Sequence, residues 1–218
     1  MSQNDELDDL LRRLSVPLSD EEKQRRLAIA SDELRRQRTL RTAILRENWN
    51  APKRHLLRDE LDVSGPWGAK LKQLVDLIGT GCFVGLVGTR GAGKTQLAVE
   101  AMKTATERGL SSYYIDATEL FLRVKATFEN DETELEVMRS LQRPKLLVID
   151  EVWRRGQSDW ENRLFFMLLD HRYQAMKDTV LVSTQTREAF TESVGDALAS
   201  RMNETGGVME CDWPSFRL

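Results

Sequence analysis

Gly88-Thr89-Arg90-Gly91-Ala92-Gly93-Lys94-Thr95 reads G-x-x-x-x-G-K-T. It lies directly after the apolar run Cys82–Val87 and opens a helical stretch, Lys94–Glu107. Strand, glycine-rich loop and helix in that order distinguish a P-loop from a chance cluster of glycines. The glycines let the backbone curl so that its N–H groups point inward, and the positive end of the following helix adds to that anion nest. Lys94 then reaches the β- and γ-phosphates, the Thr95 hydroxyl supplies a magnesium ligand, and Gln96 completes the candidate nucleotide-binding set.

The second half of such a site is Leu146-Leu147-Val148-Ile149-Asp150-Glu151, an apolar buried strand ending in two carboxylates. Asp150 can hold magnesium through water, while Glu151 polarises the attacking water as general base. Paired with the loop, these acids indicate ATP or GTP hydrolysis. Between Lys94 and Asp150 there is room for a strand and two helices, as a sheet needs when another strand separates the loop strand from the acidic one. That spacing disfavours small GTPases, and no Arg-rich segment of a nucleoside kinase is evident.

Working outward, five short apolar runs are strand candidates: Cys82–Val87, Ser112–Ile115, Leu146–Ile149, Thr179–Val182 and Val208–Cys211. Helical stretches alternate with them at Lys94–Glu107, Thr118–Phe128, Glu132–Leu141, Asp159–Met176 and Ser193–Asn203. The alternation predicts a three-layer α/β domain around a five-stranded, largely parallel sheet. A chain of 218 residues, 40% hydrophobic and 31% charged, fits one such domain plus a small extension.

The first sixty residues contain no glycine and show helical periodicity only. Leu7, Leu10, Leu11 and Leu14 form one apolar stripe ahead of Pro17. Ser19-Asp20-Glu21-Glu22 has capping-box spacing, so a second helix is expected to start there and run to about Trp49, with Leu27, Ala30 and Leu34 on one face and a basic patch at Arg35, Arg36, Arg38 and Arg41. Residues 1–50 are therefore expected to be a helical extension and 51–218 the ATPase domain. The leucine stripe either packs on its own domain or docks on another protein.

Charge, 32 basic against 35 acidic side chains for a net of -3, excludes a globally basic nucleic-acid binder but permits a local basic groove. No apolar run approaches the roughly 20 residues of a membrane span, and the polar, acidic start does not read as a secretory signal, so a cytosolic protein is expected. Cys82 and Cys211 read as buried thiols, and two histidines with two distant cysteines do not suit structural zinc.

With the P-loop, Leu147-Val148-Ile149-Asp150-Glu151-Val152, His171-Arg172-Tyr173, Arg201-Met202 and the tail Trp213-Pro214-Ser215-Phe216-Arg217 in view, the sequence from about Ala51 resembles the DnaC/IstB branch of AAA+ ATPases. Within it, the resemblance is to DnaC-type replicative helicase loaders. It implies ATP and Mg2+ as cofactors and a core without a C-terminal helical lid, with ATP held partly by a neighbouring protomer. By position it implies Thr184 or Gln185 as the residue orienting the attacking water, where this family usually has an asparagine. Arg201 is implied as an arginine finger reaching a neighbour's γ-phosphate, and Arg217 as either a nucleotide-sensing or a structural arginine. Lys125 and Phe128, with Ser158 and Trp160, match positions that line a single-stranded DNA path.

What the resemblance implies is an ATP-dependent loader that binds a hexameric replicative DNA helicase and single-stranded DNA, self-associates and needs no membrane. Two other readings stay open: an IstB-like transposition helper acting on duplex DNA with a transposase, and a nucleotide-switched adaptor that scarcely turns ATP over.

Overall fold

Phe83–Gly88, Leu146–Asp150 and Asp178–Val182 form strands because short runs buried on both faces suit the middle of a parallel sheet covered by helices on either side, while Ser112–Asp116 and Gly207–Cys211 are the half-covered edges. The computed structural model describes residues 20–48, 50–58, 60–127, 133–156 and 158–216. The chain divides into two compact units, 1–42 and 43–218. In the first, the described part belongs to helix α1 (Asp20–Glu47), whose described side chains through Thr42 are exposed, Arg35, Arg36, Arg38 and Arg41 among them. Leu7, Leu10, Leu11 and Leu14 lie outside the described residues.

In the larger unit the order is α2 (Lys53–Leu56), α3 (Pro66–Leu77), β1 (Phe83–Gly88), α4 (Lys94–Glu107), β2 (Ser112–Asp116), α5 (Ala117–Ala126), α6 (Glu134–Gln142) and β3 (Leu146–Asp150). A short 3-10 turn (Val152–Arg154) leads to α7 (Asp159–Gln174), β4 (Asp178–Val182), α8 (Arg187–Val194), α9 (Asp196–Thr205) and β5 (Gly207–Cys211). Each strand lies within one residue of the run read from sequence. The helix expected over Ser193–Asn203 is α9, which begins only at Asp196 because Gly195, at φ 85 and ψ 154, separates it from α8. Helices α2, α3 and α8 had not been expected.

All pairings are parallel, in the order β2-β3-β4-β1-β5. β4 therefore separates the loop strand β1 from the acidic strand β3, while β2, the strand in the interval between Lys94 and Asp150, lies at the edge beyond β3. Alternate strand residues feed two cores. Phe83, Val87, Ile115, Leu147, Ile149 and Leu181 pack with α5 to α9 on one face. Val84, Leu86, Leu146, Val148, Val180 and Val182 pack with α3 and α4 on the other. Truncating one of these side chains, as in Leu147→Ala, costs about 2–5 kcal/mol.

Polar groups fix the connections. Arg172, fully buried on α7, donates to the carbonyls of Leu141, Pro144 and Asp178 at 3.0, 3.0 and 2.6 Å, and to Thr179 Oγ1 at 3.0 Å. Burial pushes its guanidinium down to about 9. Asp178 accepts from the N–H groups of Gly79, Gly81 and Cys82, closing the turn before β1. Asn48, buried, donates to Thr106 Oγ1 at 3.0 Å, and Asn50 donates to the Tyr114 carbonyl, so the residues just before 51 pack on the sheet edge at β2. Cys82 and Cys211 are free and buried, and burial pushes the Cys211 thiol up to about 11.

Candidate nucleotide site

Three residues of the loop cannot take ordinary backbone angles: Gly88, Gly91 and Gly93 have φ of 129°, 83° and 77°. A Cβ on Gly88 would lie 2.3 Å from the Cys211 carbonyl oxygen, so only glycine lets β1 and β5 meet there. Successive loop carbonyls are then held by other segments of the chain. Gly91 O accepts from Phe216 N–H at 3.0 Å, Ala92 O from Trp213 Nε1 at 3.0 Å and Gly93 O from Trp67 Nε1 at 3.3 Å. In a trans peptide the following N–H points opposite to the carbonyl, so these contacts also orient the amides of Ala92, Gly93 and Lys94. The tail and α3 thereby hold the loop backbone in place, a conformation whose exposed amides would suit an anion.

Around this loop lies a cavity of about 840 Å3 lined by Arg90, Lys94, Thr95, Asp150, Glu151 and Thr184, among others. Lys94 Nζ donates to the carbonyls of Gly88 and Thr89 at 2.7 and 2.6 Å. The Thr95 hydroxyl donates to Asp150 Oδ2 at 2.9 Å, joining the two sequence motifs through one carboxylate. The same oxygen accepts from Tyr114 Oη at 2.7 Å, and Asp150 Oδ1 accepts from Glu151 N–H at 2.7 Å. Burial, opposed by the hydrogen bonds from Tyr114, Thr95 and Glu151, leaves the Asp150 carboxyl above the usual carboxylate range. A buried carboxylate beside a hydroxyl suits a hard divalent cation, which would offset that burial cost, so the donor set fits magnesium.

Glu151 sits at φ 53 and ψ 39, a left-handed conformation that costs a non-glycine residue about 1–2 kcal/mol. The 3-10 turn maintains it through Arg154 N–H to Glu151 O at 2.8 Å, and Trp153 Nε1 donates to Glu151 Oε2. Arg90 and Arg154 lie against the Trp153 ring, 5.5 and 5.7 Å from its centroid.

Other expected residues lie differently. Gln96, though bordering the cavity, is buried, accepts His55 Nδ1 at 2.7 Å and donates to Glu100 Oε1 at 2.8 Å, tying α4 to α2. Gln185 accepts from Ser183 Oγ at 2.9 Å and donates to Ala189 O at 3.4 Å, so its amide joins β4 to α8 while Thr184 borders the cavity. Arg201 pairs with Asp170 and lies over the rings of Phe166 and Tyr173, 5.4 and 5.2 Å away.

Lys125, Ser158 and Trp160 do come together, between α5 and α7. Lys125 Nζ is 3.1 Å from Glu161 Oε1 and 5.8 Å from the Trp160 ring centroid. Ser158 and Glu161 form the capping box of α7, with Glu161 N–H to Ser158 Oγ at 3.2 Å. Phe128 and Arg217 lie outside the described residues.

Sequence reading did not single out Trp67, Trp153, Tyr114 or the Arg54, His55 and Arg58 side of the cavity. Only Trp153, two residues beyond the acidic pair, carried a local signal; the others arrive from distant segments.

Fold and site together define a P-loop nucleotide-binding protein of the AAA+ class. The model for the family described as IstB-like ATP binding protein matches residues 20–205, and the chain belongs to that family. The replicative helicase loader DnaC of Escherichia coli K12 is 27% identical over 132 residues, covering 60% of this chain and 54% of the loader. This chain thus spans about half the length of that relative. Among solved structures, a DnaC helicase loader superposes with a TM-score of 0.58 at 20% identity, covering 74% of this chain and 97% of that one. AMPPCP-bound DnaA from Aquifex aeolicus superposes at 0.58 with 22% identity, over 71% and 50% of the two chains, and shares the fold. Among the described residues no helix is long and apolar enough to cross a membrane.

Proposed function

We propose that this protein binds and hydrolyses ATP and uses the cycle as a DnaC-type loader, placing a hexameric replicative helicase on single-stranded DNA. The observation that carries the ATPase reading is the Thr95–Asp150 hydrogen bond beside the Lys94 loop, which brings both halves of a phosphate site to one cavity. The loop amides and Lys94 would hold the β- and γ-phosphates, and Thr95 with Asp150 would hold Mg2+. When bound, the metal neutralises charge on the phosphates. Glu151 accepts the proton of a water whose oxygen bonds the γ-phosphorus. The bond to the β-phosphate bridging oxygen breaks, and that oxygen leaves with the electron pair. Of Thr184 and Gln185, just beyond β4, Thr184 borders the cavity and is the one proposed to orient this water. Arg201 acts on a neighbour's γ-phosphate, for which it must exchange Asp170 for the phosphate.

The loader reading is supported by the likeness to DnaC over 132 residues. Residues 1–45, with the Leu7, Leu10, Leu11 and Leu14 stripe, dock on the helicase, while Lys125, Ser158 and Trp160 face DNA with Phe128. Phosphate release is expected to depend on Mg2+ and to rise with single-stranded DNA or helicase. A pull-down with the cognate helicase is expected to lose binding when residues 1–45 are deleted; retained binding overturns the docking assignment. The match to the IstB-like family favours one second reading, a transposition helper. Tighter binding to duplex than to single strands, with recruitment of a transposase, would select it.

A further inference from the structure

The chain devotes Trp153 to the acidic pair in a way that ATP binding alone does not require. Its indole N–H donates to Oε2 of Glu151, and among the described residues no hydrogen bond is made to the other oxygen, Oε1. The ring lies against two guanidinium groups, that of Arg90 in the phosphate loop and that of Arg154 in its own 3-10 turn. Each such contact contributes about 0.5–1 kcal/mol where exposed and more where desolvated. All four residues line the same cavity. Glu151 meanwhile occupies a left-handed backbone conformation that ordinary sequence preference opposes. A strained backbone sets where the side chain leaves the strand end, but a glutamate still has three rotatable bonds beyond it. One further fixed point is needed to stop the carboxylate from sampling several positions, and the indole N–H supplies it.

We infer that Trp153 is a positioning residue for Glu151. It engages one carboxylate oxygen so that the other faces the cavity, and Arg90 fixes the indole to the phosphate loop. The place of the base is thereby tied to the loop that holds the phosphates. This inference rests on the reading of Glu151 as general base. Trp153 itself touches no reacting atom.

Ring geometry supplies a sharp test. Nε2 of histidine stands at the same place in its five-membered ring as Nε1 of tryptophan, so Trp153→His keeps a donor where Trp153→Phe has none. In full-length protein with MgATP, Trp153→Phe is expected to lower kcat roughly tenfold, the scale of one hydrogen bond to a charged group, with KM changed less than about twofold. Trp153→His is expected to recover most of that loss. In a Glu151→Gln background the Phe substitution is expected to add less than about a twofold further loss, since the interaction it removes is already impaired. Unchanged kcat in Trp153→Phe, or an equal fall in both backgrounds, overturns the inference while leaving the base assignment standing. Wild-type turnover by Glu151→Gln instead overturns the base assignment itself. Should Trp153→Phe fail to fold, judged by nucleotide affinity and thermal melting, the histidine variant decides: a tenfold loss of kcat at unchanged KM contradicts the inference, and near wild-type kcat supports it.

Discussion

The phosphate loop and the face between α5 and α7 both present basic and aromatic side chains, yet they are assembled in opposite ways. At the loop, the groups proposed to bind phosphate are chiefly backbone amides, and the side chains of Trp67 and Trp213 hold that backbone. Between α5 and α7, the side chains expected to meet DNA already serve structure. Ser158 caps a helix, and Lys125 neutralises the buried carboxylate of Glu161. A site made of backbone is encoded by a contiguous motif, and its local side-chain contacts, Lys94 to the Gly88 and Thr89 carbonyls and Thr95 to Asp150, stay within the site. A site made of side chains on two helices shares them with capping and pairing, so its function has to be separated from its stability by measurement.

The largest expected effect concerns what holds α7 itself. Arg172→Met leaves buried carbonyls of Leu141, Pro144 and Asp178 without their donor, and is expected to lower unfolding free energy by about 3–5 kcal/mol in urea titrations. A loss below about 1 kcal/mol would mean that those carbonyls find other partners, and that the α5–α7 face is not anchored by this residue.

An intermediate effect is expected on the loop side. Tyr114→Phe removes a donor to the Asp150 oxygen that also accepts Thr95, while keeping the ring in β2. The Mg2+ concentration giving half-maximal ATP hydrolysis is expected to rise about tenfold, the usual scale for groups that orient a metal ligand, with stability little changed. No change in Mg2+ dependence would assign Tyr114 to packing alone.

The smallest effect belongs to Lys125→Ala. Its side chain is 53% exposed, so loss of the Glu161 pair is expected to cost no more than about 1 kcal/mol of stability. If this face meets DNA as proposed, single-strand affinity falls severalfold and the slope of log affinity against log salt decreases by about 0.7. Unchanged DNA affinity with slightly lower stability would give Lys125 a purely structural role and make the contrast between the two regions complete.

The parts of the molecule legible in sequence were those written in contiguous residues. Strands with continuous apolar runs, the glycine loop and the acidic pair all fell where their local pattern placed them. Helices α3 and α8 were legible in principle as well: Pro66 opens α3 and Trp67, Leu71 and Leu74 give it a helical apolar period, while Gly195 marks the break between α8 and α9. The tail was recognised by its motif, but its work on the loop, through the Trp213 indole and the Phe216 amide, is a contact across more than 120 positions that no local spacing reports. Likewise Gln96 follows the loop in sequence, yet helical rotation turns it toward His55 and Glu100.

Calorimetric titration of the full chain with ATP, with and without Mg2+, tests the central claim most directly. A triphosphate seated between Lys94 and the Asp150–Glu151 end of β3 predicts magnesium-dependent uptake by the wild type, weakened at least about 100-fold in Lys94→Ala, since the charge-assisted contacts of the ammonium are lost. Equal uptake by the folded Lys94→Ala protein, or none by the wild type, would contradict it.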